Sequence, residues 1–285
     1  MEKISELIES MALEQIEEDI YRGYPHDIGA LHVFGGQVLS QSLDAAMLTA
    51  PADRFAHSMH AYFILPGDLG KPIVYQVDRV RDGGSFSTRR VKAIQNGKDI
   101  FITAVSFQLD QPGLDHQIEI PDVVGPQELQ SDQDLLQMYK DQLPASFKRF
   151  LLPRPIEFRP VDPLNFILPE KQEPLRYVWI KAKGEVPPEL TINQRLLAYA
   201  SDYNLLTTAI QPHQHEVNFF QLQLASLDHA MWFHRPFTMN DWLLYAVDSP
   251  SASGSRGFTR GSLFQRDGTL VASVVQEGLM RRKRS

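Results

Sequence analysis

Asp202 places a carboxylate in a mostly apolar stretch that reads as helix. Its facing neighbours, three and four residues away on either side, are Ala198, Tyr199, Leu205 and Leu206. An unpaired buried carboxylate is costly, whereas a carboxylate with suitable partners can accept a proton as a general base. The other interpretation is an aspartate on the solvent-facing side of an amphipathic helix. The residue pattern leaves both interpretations open.

Ser226 and Gln276 interrupt two predicted strands in a similar way. Because side chains alternate between the faces of a strand, Ser226 shares its face with Leu222 and Leu224, and Gln276 shares its face with Val274. Polar groups in a buried face need hydrogen-bond partners. A hydroxyl and an amide can orient a water molecule, but backbone groups in a core can also satisfy them. The sequence alone does not show that these residues meet.

The sequence gives little support for a cysteine-based site, a serine nucleophile elbow or a metal site. The chain has no cysteine, which excludes disulfides, thiolate metal sites and a cysteine nucleophile. No G-x-S-x-G motif is present, which disfavours a nucleophile elbow. Two histidine pairs, His57 with His60 and His213 with His215, lack a supporting carboxylate or cysteine cluster, so we predict no metal and no cofactor.

The net charge and the hydropathy of the chain make some classes of binding partner unlikely. Lys and Arg total 28 against 35 Asp and Glu, and the net charge of −7 disfavours nucleic acid as a partner. No apolar run approaches the ~20 residues of a membrane span, and the first residues lack a secretory signal. We expect a soluble cytoplasmic protein, and a homo-oligomer is compatible with the sequence.

The chain carries an internal repeat that predicts two copies of one small domain. The segment HSMHAYFILPGD resembles LDHAMWFHRPFT, and the similarity continues through the residues that follow each segment. Pro66 and Asp78 have counterparts 170 residues later in Pro236 and Asp248. This period is too long for a solenoid, whose repeats span roughly 20 to 50 residues.

Each copy is expected to contain one long helix followed by an antiparallel meander. Residues 4–11 predict a short opening helix, and the run rich in alanine and leucine at 36–50 predicts a long one. The second copy predicts a helix at 191–209. Strands are predicted at 57–65, 73–80, 86–95 and 100–109, and again at 218–234, 241–248, 256–266 and 269–280.

This order of elements predicts an α+β fold, since there is no βαβ alternation. We assign residues 1–110 to an N-terminal domain, 111–172 to a crossover and 173–285 to a C-terminal domain. The proline-containing crossover is expected to be ordered, with a helix around 131–150.

Several long motifs then carry a family resemblance. VFGGQVLSQSL and DGGSFSTRRVKAIQNGK in the first copy, with YASDYNLL, LDHAMWFHRPF and VVQEGLMR in the second, resemble the bacterial type II acyl-CoA thioesterases. The similarity covers nearly the whole chain and is weaker in the crossover. It implies a double hotdog fold, in which two long helices are each wrapped by a sheet and the sheets join.

The resemblance also implies hydrolysis of fatty acyl-CoA by a water molecule, without a covalent intermediate. The family's water-holding residues fall on Asp202, Ser226 and Gln276. Ser226 stands where the family typically has threonine, and it keeps the hydroxyl donor and acceptors. His57 matches a histidine that is sometimes considered catalytic in the family, and we rank it second and place it among the substrate-binding candidates.

An acidic protein that binds CoA needs local cations for the phosphates. The candidates are Arg89, Arg90, Lys92, Arg256 and Arg260. Arg89 and Arg90 point to opposite faces of a strand, so at most one of these two can serve a given ligand. The alternative is that these arginines lie on a solvated sheet face.

Two other functions stay open, an enoyl-CoA hydratase or dehydratase and a non-catalytic acyl-CoA binding protein. The hydratase pattern pairs an aspartate with a histidine that does not follow Asp162 here. The repeat also predicts asymmetry, because Ser226 aligns with Ala56 and Gln276 with Ser106. We therefore expect one working site, in the second copy.

Overall fold

The structure is a computed structural model and describes residues 1–138, 140–141, 151–163, 171–217 and 221–283. The helices are α1 (Ile4–Ser10), α2 (Gly35–Thr49), α3 (Asp132–Met138), α4 (Leu190–Ser201) and α5 (Leu205–Ile210). The strands of the N-terminal half are β1 (Glu14–Glu17), β2 (Ile20–Gly23), β3 (Arg54–Phe63), β4 (Ile73–Asp82), β5 (Phe86–Gln95) and β6 (Lys98–Leu109). The remaining strands are β7 (Ile156–Pro160), β8 (Leu175–Ala182), β9 (Leu222–Ser226), β10 (Asp228–Phe233), β11 (Leu243–Ser253), β12 (Arg256–Gln265) and β13 (Leu270–Arg282).

The strands form one antiparallel sheet in the order β1-β2-β4-β5-β6-β3-β10-β13-β12-β11-β8-β7, with β9 paired to β13. The two halves join where β3 pairs with β10, with Met59 opposite Met231. The predicted meander is wrong in one respect, because β3 pairs with β6 and not with the next strand, β4. This pairing puts β3 at the centre of the sheet, where it can meet β10.

Helices α2 and α4 pack against each other, and α2 also packs against β3, β4, β5 and β6 of this sheet. Most of α2 is buried, and its small residues permit a close crossing. A Cβ atom added to Gly36 would lie 2.3 Å from the backbone oxygen of Tyr199. Further along the crossing, Arg195 on α4 and Asp44 on α2 form an ion pair at 2.6 Å. Glycine at position 36 therefore sets how closely the two helices approach.

The predicted helix at 191–209 is interrupted in the structure. Helix α4 ends at Ser201, and α5 begins at Leu205 after a turn in which Asn204 has φ 72°. Asparagine tolerates this left-handed conformation better than most residues do. The Asn204 side-chain oxygen accepts a hydrogen bond from Nε of the buried Arg176 at 3.2 Å. Asp202 therefore lies at the end of α4 and not within one continuous helix.

The other predicted elements agree with the structure apart from their ends, with three additions. The β1–β2 hairpin and the strands β7 and β8 were not predicted. The strand expected at 218–234 is divided at Leu227 into β9 and β10, and residues 218–220 lie outside the described ranges. The crossover helix α3 covers only Asp132–Met138, and most of the rest of the predicted helix, at 139 and 142–150, lies outside the described residues.

The first part of the crossover lies against the outer face of the C-terminal half. Ile120 and Val123 pack on a cluster that contains Trp179 and Trp242. The Trp179 indole N–H donates to the backbone oxygen of Val124 at 2.9 Å. This part of the crossover is therefore ordered, as expected, while the domain boundaries stay a prediction. None of the helices in the described ranges is long and apolar enough to cross a membrane.

Candidate active site

Asp202 lies at the point where the ends of the two long helices meet. It follows the last residue of α4, and its carboxylate faces the beginning of α2. A Cβ atom on Gly35 would lie 2.6 Å from Asp202 Oδ2, and the Gly36 backbone N–H hydrogen-bonds to the carboxylate. The first N–H groups of a helix have no partner within the helix, so α2 offers donors to this side chain.

Ser226 and Gln276 converge on this carboxylate from two paired strands. Ser226 ends β9 opposite Gly278 of β13, two residues beyond Gln276. The Ser226 hydroxyl donates to Asp202 Oδ1 at 3.3 Å. The Gln276 side-chain Nε2 donates to Ser226 Oγ at 3.0 Å. The three residues identified in the sequence are thus brought into one hydrogen-bonded chain, and the polar breaks in the strands are explained.

Burial raises the pKa of Asp202 above the usual value for an aspartate. Hydrogen bonds from the Ser226 hydroxyl, the Gly36 N–H and the Gln276 amide act in the opposite direction and favour the ionised form. The ionised carboxylate is therefore a better proton acceptor than that of an exposed aspartate.

His229 extends the chain of hydrogen bonds into the core, and the sequence analysis did not select it. Its Nδ1 lies 2.7 Å from Gln276 Oε1, and its Nε2 lies 3.0 Å from the hydroxyl oxygen of Ser201. His229 is only 1% exposed, and burial lowers the pKa of its imidazole. One sequence signal was available, because the repeat aligns His229 with Met59 and so places a polar residue where the first copy is apolar.

Two family models match this chain. One family model, acyl-CoA thioesterase, matches residues 150–279, and a second, acyl-CoA thioesterase N-terminal domain, matches residues 24–108. Acyl-CoA thioesterase 2 of Haemophilus influenzae is 42% identical over 285 residues, covering 98% of each chain. The chain belongs to the acyl-CoA thioesterase family.

Solved structures agree with this assignment. An acyl-CoA thioesterase II, TesB2, from Mycobacterium marinum matches this thioesterase with a TM-score of 0.80 and 39% identity, over 97% of this chain and 98% of the other. A conserved protein with a hot dog fold from Alicyclobacillus acidocaldarius has a TM-score of 0.76 over 96% and 97% of the two chains. Its identity is 18%, so it supports the fold alone. The expected double hotdog fold is confirmed.

Aromatic side chains surround the carboxylate of this thioesterase. The Phe34 ring lies 5.1 Å from the Tyr199 ring and 4.6 Å from the Tyr203 ring, measured between centroids. Phe63, which would contact a side chain at position 35, packs against Phe101 at 5.1 Å. These rings contribute to the burial of Asp202, which raises the pKa of its carboxyl group.

Arg89, a candidate for the CoA phosphates, is committed to the core of the thioesterase. It is 1% exposed, and its guanidinium donates to the side-chain and backbone oxygens of Thr49 at 3.0 and 2.9 Å. It also bonds Asp82 at 2.9 Å. Thr49 is the last residue of α2, so Arg89 caps the carbonyl end of that helix. This environment corrects the sequence interpretation and leaves Arg89 no surface for a phosphate.

The other arginine candidates lie on the surface in ion pairs. Arg90 pairs with Asp78 at 2.6 Å, Arg256 pairs with Glu277 at 2.8 Å, and Arg260 pairs with Asp248. The first and last pairs are equivalent in the repeat. These ion pairs do not involve Asp202, Ser226 or Gln276.

His57 lies in the first copy and not at the Asp202 cluster. Its Nε2 is 2.8 Å from Ser106 Oγ, and its ring packs against Phe86 at 5.7 Å. Ser106 occupies the position that Gln276 has in the second copy. Within the described ranges no group of three or more histidine, cysteine, aspartate or glutamate residues could hold a metal ion.

Proposed function

We propose that this thioesterase hydrolyses fatty acyl-CoA to a free fatty acid and CoA, using a water molecule held by Asp202, Ser226 and Gln276. The observation that carries the proposal is the convergence of these three side chains, from α4, β9 and β13, at distances of 3.3 and 3.0 Å. Hydrolysis of a thioester requires a water molecule to lose a proton as it attacks, and a positioned carboxylate can accept that proton.

The direction of each hydrogen bond suggests how the water is held. The Ser226 hydroxyl donates to Asp202 and accepts from Gln276, which leaves one acceptor position on Oγ. A water placed there would donate one hydrogen to Ser226 and the other to Asp202. Its lone pair is then free to point at the carbonyl carbon of the substrate.

The reaction proceeds in two steps in this proposal. The water oxygen bonds to the carbonyl carbon, the carbonyl π electrons move to oxygen, and Asp202 takes the water proton. When the tetrahedral intermediate collapses, the C–S bond breaks and the proton on Asp202 passes to the departing CoA sulfur. The products are a carboxylic acid and a thiol, so no covalent enzyme intermediate and no further reactant is required.

We assign the stabilisation of the negatively charged oxygen to the first N–H groups of α2. Gly35 and Gly36 begin this helix beside Asp202, and helix N-termini favour negative charge. The amide of Gln276 already donates to Ser226 and the Gly36 N–H already donates to Asp202, so the Gly35 N–H is the better candidate. Preorganised donors of this kind typically contribute ~10²–10³ in rate.

The proposal assigns one site to each chain. Thr49 and Ser201 end α2 and α4, and the hydroxyl oxygen of each lies 2.9 Å from the carbonyl oxygen three residues earlier. The residue after Thr49 is Ala50, so alanine takes the place that Asp202 has in the second copy. Together with Ala56 in place of Ser226, this leaves the first copy without a carboxylate at the position of Asp202 and without a hydroxyl at the position of Ser226.

Recognition of CoA remains an expectation from the sequence. We keep Arg90, Arg256 and Arg260 as phosphate candidates, each of which would exchange a carboxylate partner for a phosphate, and His57 as a substrate-binding candidate. Cytoplasmic location and a homo-oligomer likewise remain predictions, tested by cell fractionation and by light scattering.

A thiol-detection assay tests the proposal. Purified enzyme with palmitoyl-CoA should release CoA, whereas Asp202→Asn should release it far more slowly. A parallel assay with crotonyl-CoA that follows loss of the enoyl absorbance separates a hydratase from a thioesterase. Absence of thiol release in the presence of tight acyl-CoA binding would overturn the proposed function in favour of a binding protein.

A further inference from the structure

We propose that His229, with its proton on Nδ1, is a positioning residue that fixes the orientation of the Gln276 amide and thereby directs the Ser226 hydroxyl toward Asp202. The inference rests on the proposed function, since it concerns the same water site. His229 does not contact the site directly. It acts through Gln276, which separates it from Ser226.

The hydrogen-bonding capacity of Gln276 determines which nitrogen of His229 carries the proton. Gln276 Oε1 can only accept, so His229 Nδ1 at 2.7 Å must be the donor. The histidine is 1% exposed, and burial favours the neutral imidazole. Nε2 is then an acceptor, and the Ser201 hydroxyl, which lies 3.0 Å from Nε2 and 2.9 Å from the Ala198 carbonyl oxygen, turns its hydrogen toward Nε2 in this arrangement.

The resulting chain runs in one direction from the core to the carboxylate. Ser201 donates to His229, His229 to Gln276, Gln276 to Ser226, and Ser226 to Asp202. His229, Gln276 and Ser226 each accept one of these hydrogen bonds and donate the next, and Asp202 only accepts. Hydrogen bonds arranged head to tail in this way polarise one another in a low-dielectric interior.

A second arrangement of protons is available to the same side chains, and it would be unproductive. If His229 carried its proton on Nε2, it could donate to Ser201, whose own hydroxyl lies 2.9 Å from the Ala198 carbonyl oxygen. The Gln276 amide would then turn over to donate to Nδ1 and would present its oxygen to Ser226. The Ser226 hydroxyl would donate to that oxygen, and Asp202 would lose its donor.

The first copy of the repeat has no amide at the position of Gln276, and its residue at the position of His229 is therefore informative. Met59 is the counterpart of His229, and it is fully buried. Ser106, the counterpart of Gln276, is hydrogen-bonded to His57 instead. Methionine at this position of the fold is therefore compatible with packing, which supplies a matched variant for position 229.

Three substitutions at His229 separate the two sides of the ring. His229→Asn keeps a donor near the place of Nδ1, His229→Gln keeps a group only near the place of Nε2, and His229→Met keeps neither. We expect kcat for the asparagine variant within ~10-fold of the natural enzyme, and a loss of ~10 to 100-fold for the glutamine and methionine variants. KM for palmitoyl-CoA should stay within ~3-fold in all three, because the ring does not touch substrate.

The outcome that overturns the inference is equal kcat in the asparagine and methionine variants, whether both are fast or both are slow. Asp202→Asn measured alongside keeps the two proposals distinguishable. An inactive Asp202→Asn variant with a fully active His229→Met variant removes the positioning role and leaves the proposed function intact. A fully active Asp202→Asn variant removes the proposed function.

A measurement on the unmutated protein covers the case in which a variant fails to fold. Nitrogen-15 NMR of the natural enzyme, with histidine labelled in the ring, distinguishes a protonated from an unprotonated ring nitrogen. We expect His229 to show a protonated Nδ1 and an unprotonated Nε2. The reverse assignment would overturn the inference without any substitution.

Discussion

Asp202→Asn is the substitution whose consequences the structure defines most sharply. The amide has the shape of the carboxylate but cannot accept a proton from water. Loss of a general base costs ~10²–10⁴ in rate. We therefore expect kcat with palmitoyl-CoA to fall by that factor while KM changes little.

The same substitution should leave the protein stable, for a reason that the pKa direction supplies. The pKa of Asp202 is raised in the folded protein, so the ionised form is disfavoured by folding. This cost is present at pH above the folded-state pKa and is relieved as the pH falls through it, and the neutral asparagine does not carry it.

Asparagine also introduces one mismatch. The Asp202 carboxylate accepts from both the Ser226 hydroxyl and the Gly36 N–H, whereas an amide presents an acceptor to only one of them. The lost hydrogen bond costs ~1 kcal/mol. The two effects have opposite signs, so we expect a change in Tm of no more than ~4 °C.

The assay is thiol release from palmitoyl-CoA, combined with thermal unfolding of each variant. Asp19→Asn is a matched control, because it makes the same chemical change in an ion pair with Arg79 far from the site, and asparagine tolerates the φ of 59° at that position. A well-folded Asp202→Asn enzyme with kcat within tenfold of the natural enzyme would refute the assignment of the base.

Other predictions concern neighbouring parts of the structure. Ser226→Thr should retain most activity and Ser226→Ala should lose ~10-fold or more in kcat, since only threonine keeps the hydroxyl; equal rates for the two would exclude a role for it. Gly36→Ala should lower the yield of folded enzyme or its Tm, because the added Cβ would meet the Tyr199 carbonyl oxygen at 2.3 Å, and an unchanged Tm would show that the helices can separate at no cost. Arg89→Met should lower the free energy of unfolding by ~2 kcal/mol or more, as expected for a buried hydrogen-bonded charge, without a selective rise in KM; a rise in KM at unchanged stability would instead support phosphate binding. The value of kcat/KM should fall as the pH is lowered and Asp202 becomes protonated, with a midpoint above the usual pKa of an aspartate. A kcat/KM that does not change with pH across that range would argue against a carboxylate base.

Elements with a strong local pattern could be predicted from the sequence. Helix α2 follows from its alanine and leucine residues and from Pro51, and the strands β4, β5 and β6 follow from β-branched runs between turn residues. The break between α4 and α5 could not be predicted in this way. Neither glycine nor proline marks it, and it depends on Asn204 adopting a left-handed conformation beside Arg176 on a distant strand.

The candidate site was predictable in part. Asp202, Ser226 and Gln276 are polar residues in otherwise apolar local patterns, so the sequence could single them out. Their convergence depends on the pairing of β9 with β13. The family motifs implied this convergence, whereas the hydrophobic periodicity did not. His229 was missed because a lone histidine in a strand carries little information on its own. Arg89 was misread because strand alternation shows that Arg89 and Arg90 face opposite sides but does not show which side is the core.

The most direct test of the account is a crystal structure of the enzyme with a non-hydrolysable acyl-CoA analogue in which a methylene group separates the carbonyl from sulfur. We predict one bound analogue per chain, with its carbonyl carbon ~3–3.5 Å from a water that contacts Asp202 and Ser226. The carbonyl oxygen should face the N-terminus of α2 at Gly35 and Gly36. An analogue whose carbonyl lies instead beside His57 and Ser106 of the first copy would contradict the account.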